Sequence, residues 1–178
     1  MKRVKTGLLL AGLLSVSEVC ADTTSQAFTV NASIVKGCVL GSGVTDVTTF
    51  GTLSFGQVSS LSSNISIVSS AGAGSVVIRC NPGLSVTLAL NVGNNVTGSI
   101  SAGRKLQNAT TLETLVYQLY QDSNYTTIWG DGSNGGTAQT VSSAGSTQEI
   151  KIYARLMSTS ILPTSGTYSD TVLLTVSY

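Results

Sequence analysis

Asp122 in QDSN and Asp131 in GDGS stand on either side of a hairpin-like stretch. Two carboxylates flanking a sugar bond are what glycoside hydrolysis requires, one as acid and the other as base or nucleophile. They are the best catalytic candidates in a chain that has no histidine at all. A group able to move protons near neutral pH is therefore wanting. Both aspartates also stand where turns favour them, because the side chain accepts hydrogen bonds from the backbone amides that follow. The turn reading is preferred, and the protein is expected not to be an enzyme. Trp129, just before GDGSNGG, is a second candidate, as a stacking platform for carbohydrate. A lone Trp at a strand end more often packs into the core. GDGSNGG itself carries one acid, Asp131, which is too few for a calcium loop, and its glycines lack the strand context of a phosphate loop. No cofactor and no metal are implied.

The cysteines depend on how the chain begins. Lys2, Arg3 and Lys5 precede the apolar run GLLLAGLLSV, and Val19 and Ala21 fit a signal-peptidase site. Residues 1–21 thus read as a signal peptide, with the mature protein starting at Asp22. A lipoprotein reading of Cys20 fails, because Ser17 stands where Leu is needed. Cleavage leaves Cys38 and Cys80. In an oxidising compartment such a pair reads as one disulfide, worth ~4 kcal/mol in the chain-entropy model; two buried free thiols are the alternative. Zinc would need a third Cys or a His.

Cleavage also removes three of nine basic residues and one of eight acidic ones, leaving a nearly neutral protein. Nucleic acid, which calls for a clustered basic footprint, is not an expected partner. Charged residues make up 10% of the chain, against about 25% in ordinary soluble domains. No stretch after the signal approaches membrane-spanning length. Five N-x-[ST] triplets begin at Asn31, Asn64, Asn95, Asn108 and Asn124, several of them expected by chance in so Asn- and Thr-rich a chain.

Helical periodicity is nearly absent. ATTLETLVYQLYQD starts with a cap-like Thr but then alternates as Leu115, Tyr117, Leu119, so it reads as a loop entering a strand. The other strand candidates are AFTVNASIV, FGTLSFG, NISIV, SVVIRC, LSVTLALNV, TTIWG, QEIKIYARLM and YSDTVLLTVSY, separated by Gly, Ser and Asn clusters. Many short strands with frequent turns predict an all-β sandwich, with a barrel as the alternative.

The two ends then demand attention. Phe28, Val30, Ala32 and Ile34 alternate ahead of Cys38, and Tyr168, Asp170, Val172, Leu174, Val176 and Tyr178 share one face of the closing run. An apolar edge strand invites strand addition. If the last strand lacks a neighbour, an extended segment of the leading kind can fill the gap. Burying Phe28, Val30, Ala32 and Ile34 would contribute on the order of 5 to 10 kcal/mol. Only Val35 to Gly37 separate the segment from the Cys38 strand, so it has little slack to reach its own groove. Donation to another copy would be head-to-tail and would propagate.

Gly37-Cys38 after the alternating leader, FGTLSFG at 50 to 56, the second cysteine in VVIRCN, LVYQLYQD followed by IWGDG, and the ending GTYSDTVLLTVSY occur in this order across nearly the whole mature chain. Together they resemble the spore coat protein U domain family, which includes subunits of archaic, Csu-type chaperone–usher pili. The resemblance implies an incomplete immunoglobulin-like sandwich lacking its last strand and completed by donor-strand complementation. It divides the chain into a signal peptide (1–21), a donor-strand extension (22–36) and the sandwich domain (37–178). It assigns Phe28, Val30, Ala32 and Ile34 to the donor strand, Cys38 and Cys80 to the disulfide, and Val172, Leu174, Val176 and Tyr178 to the acceptor groove. A periplasmic chaperone, an outer-membrane usher and other pilus subunits are the implied partners, and the cell surface of a Gram-negative bacterium the implied location. The implied role is a fibre subunit supporting adhesion and biofilm formation. Ala32 is small for a groove-filling position, and Asp170 places the start of the groove at Val172. The rival reading is a monomeric secreted carbohydrate-binding module using Trp129 and the GDGSNGG loop.

Overall fold

Alternating aliphatic residues fold as a strand when one face can be buried and a neighbouring backbone completes the hydrogen bonds. The computed structural model describes residues 25–41, 43 and 45–178. Among them the strands are β1 (Cys38–Leu40), β2 (Ile65–Val68), β3 (Val76–Cys80), β4 (Ser85–Leu90), β5 (Arg104–Asn108), β6 (Thr114–Tyr120), β7 (Gln139–Ser142), β8 (Gln148–Ile150), β9 (Tyr153–Leu156), β10 (Tyr168–Ser169) and β11 (Leu174–Ser177). No helix occurs among the described residues, and so none long and apolar enough to cross a membrane. The proposed signal peptide and Asp22 to Thr24 lie outside the described residues.

The chain divides into two units, one ending at Ile34 and one running from Val35 to Tyr178. In the first, residues 25–34 form no strand, and Phe28, Val30 and Ile34 are exposed. The strand expected over AFTVNASIV is therefore absent, since residues 27–35 pair with no strand among the described residues. All eleven strands belong to the second unit.

There, every strand pairing is antiparallel. β3 and β4 follow one another through the Pro82-Gly83 corner, where Gly83 has φ of +79° and its amide donates to the Ser143 carbonyl (2.9 Å). Their partners β8 and β7 flank the same corner, where the Ser143 hydroxyl, just after β7, donates to the Cys80 carbonyl (2.8 Å). The result is a bent ribbon with the sheet orders β1-β3-β8 and β11-β4-β7. A five-stranded sheet, β10-β5-β6-β9-β2, supplies the opposing layer. Ile78, Val86, Leu88, Leu119, Trp129, Ala154 and Leu156 lie in one buried cluster between the layers. This is an all-β sandwich with free sheet edges, and the barrel alternative falls because no sheet closes on itself.

Several strand expectations are redrawn. QEIKIYARLM divides into β8 and β9, which lie in different sheets, and YSDTVLLTVSY divides into β10 and β11 in the same way. FGTLSFG and TTIWG form only isolated bridges, Gly51 to Ala73, Tyr120 to Ile128 and Trp129 to Thr137. β5 (RKLQN) and β7 (QTVS) were not expected, because their polar composition hides the alternation that marks a strand.

Candidate functional site

β11 forms because Leu174 and Val176 point toward the core while Thr175 and Ser177 point away. It pairs with β4 in the register Leu174 to Leu90, Thr175 to Ala89, Val176 to Leu88 and Ser177 to Thr87. β4 continues to β7, whereas β11 ends the sheet order. One edge of β11 thus carries a full ladder and the other none among the described residues. Val172, Leu174 and Val176 pack on the core yet remain only half-buried, and Tyr178, beyond the strand, is 57% exposed. An interior β-strand would have this face covered.

A polar cluster fixes where β11 begins. Asp170 stands between β10, which pairs with β5, and β11, which pairs with β4. Its carboxylate accepts hydrogen bonds from the Tyr117 hydroxyl (2.7 Å), the Asn94 amide (2.8 Å), the Thr171 amide (2.9 Å) and the Asn95 side chain (3.2 Å). Burial, reinforced by the bond to Asp170, pushes the Tyr117 hydroxyl well above the ordinary tyrosine range, so it stays a donor. Gly93 is required here: it has φ of +87°, and a Cβ would fall on the Asp170 carboxylate. Below the cluster, Arg104 is fully buried and donates to Gln118 Oε1 (2.7 Å) and to the carbonyls of Asn91 and Trp129 (both 2.9 Å). Desolvation lowers its pKa.

The segment from Phe50 to Gly56 brings a second half-buried row to the same core through Phe50, Leu53 and Phe55. The Gly74 amide holds the Phe50 carbonyl (2.9 Å), and the Phe55 ring meets Tyr117 edge-on at 6.4 Å between centroids. Because Tyr117 also holds Asp170, this row and the start of β11 converge on one residue. Among the described residues no strand pairs with residues 52–56. Two apolar rows, one on a strand bonded along a single edge and one on backbone without a strand ladder, therefore pack on this core, an arrangement suited to receiving an extended chain.

The remaining candidates take different places. Cys38 and Cys80 are joined by a disulfide and face each other in the β1–β3 ladder. Phe28, Val30, Ala32 and Ile34 are all exposed in the first unit. Asp122 caps the turn after β6, accepting from the amides of Asn124 (3.0 Å) and Thr127 (2.7 Å). Asp131 does the same for Ser133 (2.7 Å) and Asn134 (2.8 Å). Both carboxylates are held below their ordinary range by these backbone bonds, Asp122 to about 2. Trp129 is corrected as a carbohydrate platform: it is fully buried, and its Nε1 donates to the Leu88 carbonyl (3.0 Å). Asn95 and Asn108, each opening an N-x-[ST] triplet, are spent on internal bonds, Asn108 Oδ1 accepting the amides of Thr110 (2.9 Å) and Thr111 (3.2 Å). Sequence reasoning missed Arg104, Asn91 and Asn95. Asp170 had a signal, as the one acid breaking an apolar alternation.

A profile of the Spore Coat Protein U domain matches residues 24–175. The chain belongs to the Spore Coat Protein U domain family. That match takes in Phe28 to Ile34 and, of the closing run, Val172 and Leu174, ending before Val176. Protein U of Myxococcus xanthus is 29% identical over 188 aligned positions that cover 100% of both chains. Among solved structures, the CsuC–CsuE chaperone–tip adhesion subunit pre-assembly complex from archaic chaperone–usher Csu pili of Acinetobacter baumannii is similar over 64% of this chain, at 22% identity and a TM-score of 0.45. The Spore Coat Protein U chain spans 34% of the solved chain in that comparison. The P pilus rod subunit PapA is similar over 79% of this chain and 98% of its own, at 19% identity and a TM-score of 0.49.

Proposed function

We propose that this Spore Coat Protein U domain protein is a structural subunit of a surface pilus and polymerises head-to-tail by donor-strand exchange. The observation that carries the reading is β11, laddered to β4 alone while Val172, Leu174 and Val176 keep a half-buried apolar face. Residues 22–36 of a second copy, or of another subunit, supply the missing strand. Phe28, Val30, Ala32 and Ile34 then enter the space beside Val172, Leu174, Val176 and Tyr178. Two features support the donor assignment: the segment has strand alternation without a strand, and its large apolar side chains are exposed. Side chains of that kind in water are a standing free-energy cost that burial removes.

On this reading residues 1–21 direct export into a Gram-negative periplasm. A chaperone lends a strand to the groove, its basic residues meeting the Tyr178 carboxylate, and at an outer-membrane usher the extension of the next subunit replaces it. The finished fibre supports adhesion and biofilm formation. Deleting residues 22–34 tests the reading, since it removes the donor and leaves every strand of the sandwich in place. Exported protein should then run as monomer on unboiled gels, where the full chain gives a ladder of heat-labile multimers. An unchanged ladder would overturn the assignment.

A further inference from the structure

The closing run from Tyr168 to Tyr178 changes sheets at Asp170, and it need not have done so. Tyr168 and Ser169 pair with Asn108 and Gln107 of β5. Carried on, that ladder would set Thr171 opposite Lys105. The Lys105 carbonyl is instead occupied by the Asn95 side chain (3.0 Å), which also donates to the Ser169 carbonyl (2.9 Å). Asn95 thereby ends the first ladder. Asn91 opens the second: its amide donates to the Leu173 carbonyl (3.0 Å), and its Oδ1 accepts the Leu173 amide (2.8 Å). From there the register with β4 runs on at Leu174 to Leu90.

Between the two asparagines, Tyr117 holds the Asp170 carboxylate from β6, the central strand of the opposite layer. The loop Asn91 to Asn95 closes round it, with Gly93 giving the clearance. Arg104 ties the Asn91 carbonyl to the buried interior (2.9 Å). Asn95 and the Asp170 carboxylate are spent on the crossover, while the Tyr117 ring packs in the apolar core and only its hydroxyl reaches the clasp.

We infer that this clasp decides which sheet the last strand joins, and that Tyr117, Asn91 and Asn95 are positioning residues for the strand-acceptor edge. The inference rests on the assembly reading only for what the edge is used for. Loosening the clasp lets residues 171–177 leave β4 or slip along it, and a slip of one residue turns the apolar face outward. The groove would lose its wall while the rest of the sandwich stayed intact.

Two variants test this in the full-length protein. Tyr117→Phe deletes one hydroxyl from the clasp, and Asn95→Ala removes the amide that ends the β5 ladder. Hydrogen exchange should become roughly tenfold faster for amides 171–177 while β3 and β6 keep their protection. Multimers followed on gels after graded heating should come apart about 5 °C lower. Unchanged exchange at 171–177 in both variants would overturn the inference. So would an equal acceleration in β3, β4 and β6, which would make the residues mere core supports. Should Tyr117→Phe fail to fold, Asn95→Ala carries the same comparison. Unaltered protein that forms no multimers would overturn the assembly reading, and the exchange comparison would still decide the clasp.

Discussion

Two segments of this chain share one pattern and have opposite surroundings. Phe28, Val30 and Ile34 alternate as Val172, Leu174 and Val176 do, yet the first three are 86%, 81% and 87% exposed and form no strand. The second three sit on the core, and Leu174 to Ser177 form β11. Composition does not separate them. What separates them is β4, whose backbone gives β11 a ladder from Thr87 to Leu90. Alternation prepares a segment to be a strand, and a neighbouring edge makes it one. Since β11 itself has a bonded side and, among the described residues, an open side, the molecule carries both an alternating segment without a neighbour and a strand edge without one.

The most severe way to break that comparison is a charge on either side. Leu174→Asp places a carboxylate in the half-buried row, and Phe28→Asp places one in the exposed row. Each should reduce multimers by roughly a hundredfold or more, because filling the groove would then bury an unpaired charge. Mixing is sharper still. The Phe28→Asp protein keeps a sound edge and the Leu174→Asp protein a sound strand, so together they should give a dimer and nothing longer. Native mass spectrometry distinguishes these species. Longer oligomers from the mixture would mean that the two segments do not meet.

A smaller effect is expected from the disulfide, which ties β1 to β3 just after the leader. Replacing both Cys38 and Cys80 by Ser should cost about 4 kcal/mol of stability, read from the urea midpoint. Provided the protein stays folded, donor and acceptor are untouched and multimers should persist at low temperature. Their loss without unfolding would show that the bridge shapes the groove.

The sequence makes the apolar side of this architecture legible and the polar side obscure. Val172, Leu174 and Val176 can be read from alternation alone, as can β3, β4 and β6. Arg104 cannot: a charged residue in RKLQN suggests surface, and its complete burial depends on Gln118 and on the carbonyls of Asn91 and Trp129. No local pattern brings those groups together. Asn91 and Asn95 likewise look like turn residues until the ladder they open and the ladder they end are both in view. Asp170 is the intermediate case. It marks an interruption, but the change of sheet it governs depends on Tyr117, a residue 53 positions away. Trp129 is legible as a core residue from its place at a strand end, but its indole partner, the Leu88 carbonyl on a distant strand, is not.

The mildest prediction concerns a region belonging to neither segment. Asp122 holds the turn after β6 chiefly through the Thr127 amide, which lowers its carboxyl from 3.8 to about 2. A depressed carboxylate pKa stabilises the fold at pH above the ordinary value, and the contribution is lost as pH falls through the folded one. Asp122→Asn should therefore melt slightly lower than the unaltered protein at neutral pH. The gap should close between about 4 and about 2. The effect is small because the group is open to solvent and its bonds are local. Melting temperature against pH gives the measurement, and a gap that persists below that window would refute the role given to these bonds. Multimers should be unaffected at any pH where the turn holds. If Asp122→Asn abolished them at neutral pH, the hairpin tip would belong to the assembly surface, and the contrast between the segment at 28–34 and the edge at 172–176 would be too narrow.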